Sequence, residues 1–326
     1  MTVKYRTAES VSPKHPDKIC DRISDAILDA YLTQDPEARV AVDVAGGHGM
    51  VFVTGEVTAS GPGVDVGAIV RRIAGPKTQI IIRLARQSPE IARGVDVGGA
   101  GDQGIMIGYA TSETKEELPL EVVLARELNR HLYQRWQFDG KTQVTVGGDG
   151  ISAVVASFQN SQTKELTASV EEWLGSQAGR GLSLSGVQVH ANPAGEWTVG
   201  GFDADAGLTG RKLVVDNYGP LVPVGGGAFS GKDASKVDRS AAYMARRVAV
   251  DYLRSRAASE VYVRLAYAIG RREPLEATVV VDGVSEIVQG YDLSPRGIIT
   301  SLNLNRPIYE ATAEYGHFGN GFEWDV

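Results

Sequence analysis

The pattern that most constrains this 326-residue chain is a helix followed by a hairpin, met in each third of the sequence. In the first third, Ile19, Ile23, Ala26, Ile27, Ala30 and Tyr31 recur at helical spacing, with Pro16 suited to a first turn and Asp35-Pro36 marking the end. Val40, Val42 and Val44 then alternate into GGHG, and MVFVTGEV returns as the second arm. A short helix over 66–73 and the strand TQIIIRLA follow. The second third repeats the theme: Pro119 opens a helix striped by Leu120, Leu124, Leu128 and Leu132, KTQVTV and ISAVVASF flank GGDG, and a further helix covers 164–174. The last third carries a long helix expected from Asp233, strands near VYVRLAYAIG and ATVVVDG, and a short helix opened by Ser294-Pro295. These elements predict an α+β fold of three related α/β units, with one large mixed domain as the alternative.

The stretch GGGAFSGKDASKVDRSAAYMAR, 225–246, carries the most chemistry. Glycines without Cβ can turn their amides toward an anion, and a helix start adds free amides and a positive dipole end. Lys232 and Lys236, four apart, would reach the same anion. Gly226, Gly231 and Lys232 fit a P-loop, but Asp233 stands where the magnesium-binding hydroxyl belongs, which excludes a standard P-loop NTPase. Gly99, Gly101 and Gly104 match G-x-G-x-x-G by accident, because a polar loop precedes them and the strand-like IMIGYAT follows. On the first helix, Asp17, Asp21, Asp25 and Asp29 stand four apart; the last three read as a solvated face. Asp17, beside His15 and Lys18 at the helix start, reads as a metal and phosphate corner.

A net charge of −7 argues against a general nucleic-acid or membrane-surface binder and favours a local site for a small anion. One cysteine, Cys20, excludes an internal disulfide and a cysteine-based zinc cluster, and MTVKYRTAES lacks an apolar signal segment. The expected compartment is the cytoplasm.

Read together, HPDKI at 15–19, GAGDQG at 99–104, GLTGRK at 207–212 and GGGAFSGKD at 225–233 resemble the S-adenosylmethionine synthetases, and SKVDRSAAYMAR, YAIG at 267–270 and YGHFG at 315–319 extend the match across the chain. The resemblance implies three units about a pseudo-threefold axis, divided at 1–90, 91–201 and 202–326. It also implies a reaction in which the methionine sulfur displaces the whole triphosphate from C5′ of ATP, followed by cleavage of the tripolyphosphate to pyrophosphate and phosphate. A thioether is a competent neutral nucleophile, so the difficulty lies in stabilising the charged leaving group and aligning the reacting atoms. Cations should outnumber nucleophiles, as Arg211, Lys212, Lys232 and Lys236 do.

Carried over by position, His15 sits near the ribose–triphosphate junction, and Asp139 and Lys141 of DGK bind ATP. Trp197 stacks on adenine, and Ala228 lies in the glycine loop that approaches the nucleotide. Asp205 contacts both nucleotide and methionine; Glu56, Gln87, Asp102 and Lys236 contact methionine. Asp17 and Asp238 are the magnesium carboxylates, two ions being implied, and Asp43 stands at a potassium position. The resemblance further implies a homodimer with active sites between subunits, HPDK and GAGDQG of one chain facing the lysine motifs of the other; a dimer of dimers is left open.

The chain also departs from the family. Lys14 replaces the glycine that usually precedes HPDK. Asp43 replaces a glutamate, which leaves potassium dependence open. Only ARGVDVG separates QSPEI from GAGDQG, whereas the family has a longer loop that closes over the site, and 61–80 and the C-terminus are also shortened. A more open site and broader acceptance of methionine analogues are expected. Two competing readings are a tripolyphosphate or nucleotide hydrolase and a non-catalytic nucleotide-binding regulatory subunit. Retention of Glu56, Gln87, Asp102 and Trp197 opposes the first, and retention of the cations and metal carboxylates opposes the second.

Overall fold

The computed structural model describes residues 5–86, 98–148 and 150–326. In chain order its elements are β1 (Arg6–Val11), α1 (Pro16–Gln34), β2 (Arg39–Gly47), β3 (Met50–Thr58), α2 (Val66–Ala74), β4 (Gln79–Ala85) and β5 (Gly104–Thr111). Next come α3 (Leu120–Arg135), β6 (Gly140–Gly147), β7 (Gly150–Phe158), α4 (Thr163–Ala178), β8 (Gln188–Ala191) and β9 (Gly207–Leu208). The last part holds α5 (Leu213–Asp216), α6 (Val237–Arg256), β10 (Glu260–Tyr267), β11 (Glu276–Val281), β12 (Val284–Ile287) and α7 (Pro295–Ser301).

The strands form three four-stranded sheets, ordered β9-β2-β3-β4, β1-β6-β7-β8 and β5-β10-β11-β12. In each, a long helix (α1, α3 or α6) leads into an antiparallel hairpin and packs on its sheet. The helices cover one face, as strand alternation requires: Val40, Val42 and Val44 are buried toward α1, while Asp43 between them is exposed.

Each sheet draws its fourth strand from another part of the chain. The first unit's sheet takes β9 from the last third, the second takes β1 from the N-terminus, and the third takes β5 from the region after Gly99. The exchange is cyclic, so the linear segments 1–90, 91–201 and 202–326 each describe three strands of a sheet and not its fourth.

Two expectations need correction. The long helix begins at Val237 rather than Asp233. Asp233 is committed elsewhere: its amide donates to the Val40 carbonyl at 3.0 Å, and its carboxylate accepts from the amides of Val40 (2.7 Å) and Ser235 (2.8 Å). A bridge to β2 and a turn, closed by the Lys236 amide on the Asp233 carbonyl at 3.1 Å, therefore replace the first helical turn. The second correction concerns α1. Asp21 and Asp25 are buried rather than solvated, and Asp29 is half-buried and accepts the amides of Tyr309 and Glu310. Asp25 forms a bidentate pair with Arg239 (2.6 and 3.1 Å), both side chains being fully buried. Asp21 accepts from buried Lys18 at 3.1 Å, which also donates to Asp216 at 2.6 Å.

Candidate active site

The residues expected at the site gather in two clusters on either side of one seam. The first forms where α1 starts against the 207–212 loop. His15 caps α1, with its Nδ1 accepting the Asp17 amide at 3.2 Å. That bond places the ring proton on Nε2. Burial, then the Lys212 charge, lower the His15 pKa to about 4, so the ring is neutral, and its 3.8 Å approach to Asp17 is not an ion pair. Asp17 is 1% exposed. Its Oδ1 accepts the Leu208 amide at 2.9 Å and lies 3.4 Å from Arg211 Nε, and its Oδ2 meets Lys212 Nζ at 2.5 Å. Burial pushes the Asp17 carboxyl up, but the Lys212 ammonium and the Leu208 amide outweigh it, holding the pKa below the usual carboxylate value.

Lys141 stands at the rim of this cluster on β6, 3.6 Å from Glu9, and its charge helps to keep His15 neutral. Asp139, buried beside it, accepts the Gly201 amide at 2.9 Å and so ties the segment bearing Asp205 to β6. Burial raises the Asp139 pKa. Asp205 is exposed, with its carboxylate turned back onto the Ala206 amide at 2.7 Å. Trp197 is half-buried, and Gly200 passes so near that an added Cβ would stand 2.7 Å from the indole.

The second cluster lies between β2, the glycine loop and the start of α6. Lys232 Nζ donates to Asp238 at 2.7 Å, and Lys236 pairs with Asp233. The two lysines are thus held by different carboxylates. The end of GAGDQG reaches this cluster, since a Cβ on Gly104 would lie 3.1 Å from Asp238 Oδ1. At Gly227 a Cβ would stand 2.2 Å from the Asp238 carboxyl carbon, which explains glycine there. Asp102 is exposed, its Oδ1 accepting the Gln103 amide at 2.8 Å. Ala41 pairs across β2 with Glu56 on one side and Lys232 on the other, so Glu56 and Lys232 share one row and one face of the sheet. Asp43 is exposed on that same face. Gln87 and the short segment 92–98, apart from Gly98, lie outside the described residues.

The clusters meet at Ala228, whose Cβ lies 2.5 Å from where a Cβ on Gly210 would be. Within one chain, therefore, HPDK stands with Arg211 and Lys212, and GAGDQG stands with Lys232 and Asp238. A cleft of about 780 Å³ opens elsewhere, between 36–39, Gly98–Gly99 and α7; it touches Gly99 of GAGDQG, Asp233 and Ser235, but not Arg211, Lys212, Lys232 or Lys236.

Sequence reasoning passed over Asp216 and Arg239, read Asp21 and Asp25 as solvated and set Lys18 at a phosphate corner, whereas the structure ties all five to the cationic loops and their neighbours. One signal was available: a four-spaced row of a single acid type along one helix.

Comparison with known proteins agrees along the whole chain. Residues 4–76 match the N-terminal domain model of S-adenosylmethionine synthetase, 97–197 its central domain and 199–326 its C-terminal domain. The S-adenosylmethionine synthase of Petrotoga mobilis is 41% identical, with 98% of this chain and 95% of the relative covered. S-adenosylmethionine synthase 1 of Frankia casuarinae is 40% identical, covering 100% and 96%. The S-adenosylmethionine synthase of Corynebacterium glutamicum is 41% identical, covering 97% and 93%. The Petrotoga alignment spans 382 positions against a chain of 326, so that relative carries segments this chain lacks.

Proposed function

This chain belongs to the S-adenosylmethionine synthetase family, and on that premise we propose how its residues carry the reaction. The enzyme makes S-adenosylmethionine from ATP and L-methionine. The methionine sulfur attacks C5′ while tripolyphosphate departs, and the tripolyphosphate is then hydrolysed. The observation that carries this reading is the character of the two clusters: Arg211, Lys212, Lys232 and Lys236, with Lys141 at the rim, and among the described residues no activated nucleophile, which suits an attacking atom that brings its own lone pair.

Arg211 and Lys212 grip the departing phosphates from one side and Lys232 from the other, stabilising charge that grows as the C5′–O bond breaks. Neutral His15, with its proton on Nε2, can donate a hydrogen bond to O5′ as it leaves. Lys141 and Asp139 hold the nucleotide, Trp197 offers its ring to adenine, and Ala228 lets the backbone approach. Glu56, Gln87, Asp102, Asp205 and Lys236 orient methionine.

Among the described residues, no three His, Cys, Asp or Glu side chains converge on a metal position. Asp17 and Asp238 each offer a single carboxylate, which fits the way Mg²⁺ binds through one or two carboxylates shared with substrate phosphates. Magnesium bound there would add positive charge to the leaving group. Asp43 alone does not make a potassium site; a partner chain would have to complete one.

The outer face of the first sheet supports a homodimer with shared sites. Met50 (41%), Phe52 (37%) and Ile81 (41%) are exposed beside Glu56 and Asp43, an apolar patch bearing site residues. Pairing of dimers would be a further association. No helix among the described residues is long and apolar enough to cross a membrane. A cytoplasmic setting suits the single, buried Cys20, whose thiol burial pushes well above its usual pKa.

Incubation with ATP, Mg²⁺ and methionine should yield one sulfonium product per ATP. Phosphate release without it would mark a hydrolase, and no turnover a binding subunit.

A further inference from the structure

Three carboxylates of α1 each accept one backbone amide from a cation-bearing loop. Asp17 takes Leu208 N at 2.9 Å, Asp21 takes Gly210 N at 2.8 Å and Asp25 takes Gly231 N at 2.8 Å. Their spacing explains the register. Four residues of helix rise about 6 Å, so the acceptors at 17 and 21 stand one turn apart and take the amides of Leu208, at the end of β9, and of Gly210, in the turn that the Arg211 amide closes on the Leu208 carbonyl. The intervening Thr209 amide donates instead to the Val44 carbonyl of β2 at 3.0 Å. Gly231 is fixed on both sides too, since its carbonyl accepts the Val42 amide at 3.0 Å. Arg239, paired with Asp25, also donates to the Lys232 carbonyl at 3.2 Å.

We infer that Asp21 and Asp25 are positioning residues for the reaction: with Asp17 they form a row of amide acceptors whose helical spacing sets where Arg211, Lys212 and Lys232 stand. Neither touches substrate; each acts through the loop it holds. The role in turnover rests on the function proposed above, whereas the anchoring does not.

Asp21 gives the cleaner test, because Lys18 retains Asp216 when Asp21 is neutralised. Asp21→Asn keeps an oxygen for Gly210 N, and Asp21→Ala removes it. Hydrogen exchange of the 208–212 segment should speed about tenfold or more in Asp21→Ala and stay near wild type in Asp21→Asn. With thermal melts showing both variants folded, kcat/KM for ATP should fall about tenfold or more in Asp21→Ala and stay within about threefold in Asp21→Asn, as misplacement of a cation by a fraction of an ångström requires. Wild-type exchange in Asp21→Ala would overturn the anchoring. Turnover lost equally in Asn and Ala would show that charge, not acceptor geometry, matters. A wild-type chain that forms no sulfonium product would refute the proposed reaction instead, and the exchange arm would still decide the anchoring.

Discussion

Replacing Arg239 with Met should be among the most damaging single changes outside the substrate contacts. The guanidinium is fully buried and uses both faces of its fork. It donates to both Asp25 oxygens, to Tyr243 Oη at 2.9 Å, to Thr312 Oγ1 at 3.0 Å and to the Lys232 carbonyl, and it lies 4.2 Å from the centre of the Tyr309 ring. Without it, Asp25 is a buried carboxylate held mainly by the Gly231 amide. Breaking one side of such a pair costs about 3–5 kcal/mol. At roughly 2–4 °C per kcal/mol for a large domain, Tm should fall by about 6–20 °C. Asp25→Leu/Arg239→Met removes both charges, leaving the Gly231 amide as the main loss, about 1–3 kcal/mol. The double variant should therefore melt above the Arg239→Met single. Urea and thermal melts of wild type, both singles and the double, at one protein concentration, close the cycle. Costs that simply add would refute the argument that the pair is held by mutual charge compensation. Turnover should stay low in the double variant even where stability returns, because the Gly231 amide has lost its acceptor.

Gly231→Ala places a Cβ 2.0 Å from the Val42 carbonyl oxygen at a φ of +82°, so the lysine loop must shift; turnover should drop at least about tenfold, and near-normal kcat would contradict the close packing of the loop on β2. Because the His15 pKa is lowered to about 4, the neutral form is complete well below its ordinary titration, and kcat/KM for ATP, which reports the free enzyme, should show no His15 step between pH 8 and about 5.5. A step near pH 6.5 that disappears in His15→Gln would contradict the neutral donor. Lys232→Ala should lower turnover by about two or more orders of magnitude with the fold intact, as loss of a leaving-group contact does; circular dichroism and initial rates decide it.

Helices, hairpins and the two loop motifs were legible in the sequence because their signals are local: apolar periodicity, Pro16 and Pro119 at helix starts, glycines at turns. The cyclic exchange of β1, β5 and β9 was not, since a strand's partner across one or two hundred residues leaves no mark in its own alternation. The start of α6 was misplaced for a related reason. Asp233 to Lys236 have no helix-breaking residue, but Asp233 pairs with Val40 in a distant strand. The acidic row on α1 was misread because its partners, Arg239 and the amides at 208, 210 and 231, come from far along the chain. Motif resemblance nominated the residues proposed to face substrate, and the structure added the buried partners that hold their loops.

The most direct test of the central claim is the fate of the oxygen that bridges C5′ and the α-phosphorus in ATP. With that position labelled as ¹⁸O and methionine and Mg²⁺ present, displacement at carbon sends the label out with the tripolyphosphate. It should then be found in the pyrophosphate and phosphate, with unlabelled sulfonium product formed one for one with ATP consumed. Label retained in adenosine or an adenine nucleotide, with phosphate released, would mean cleavage at phosphorus and would contradict the account.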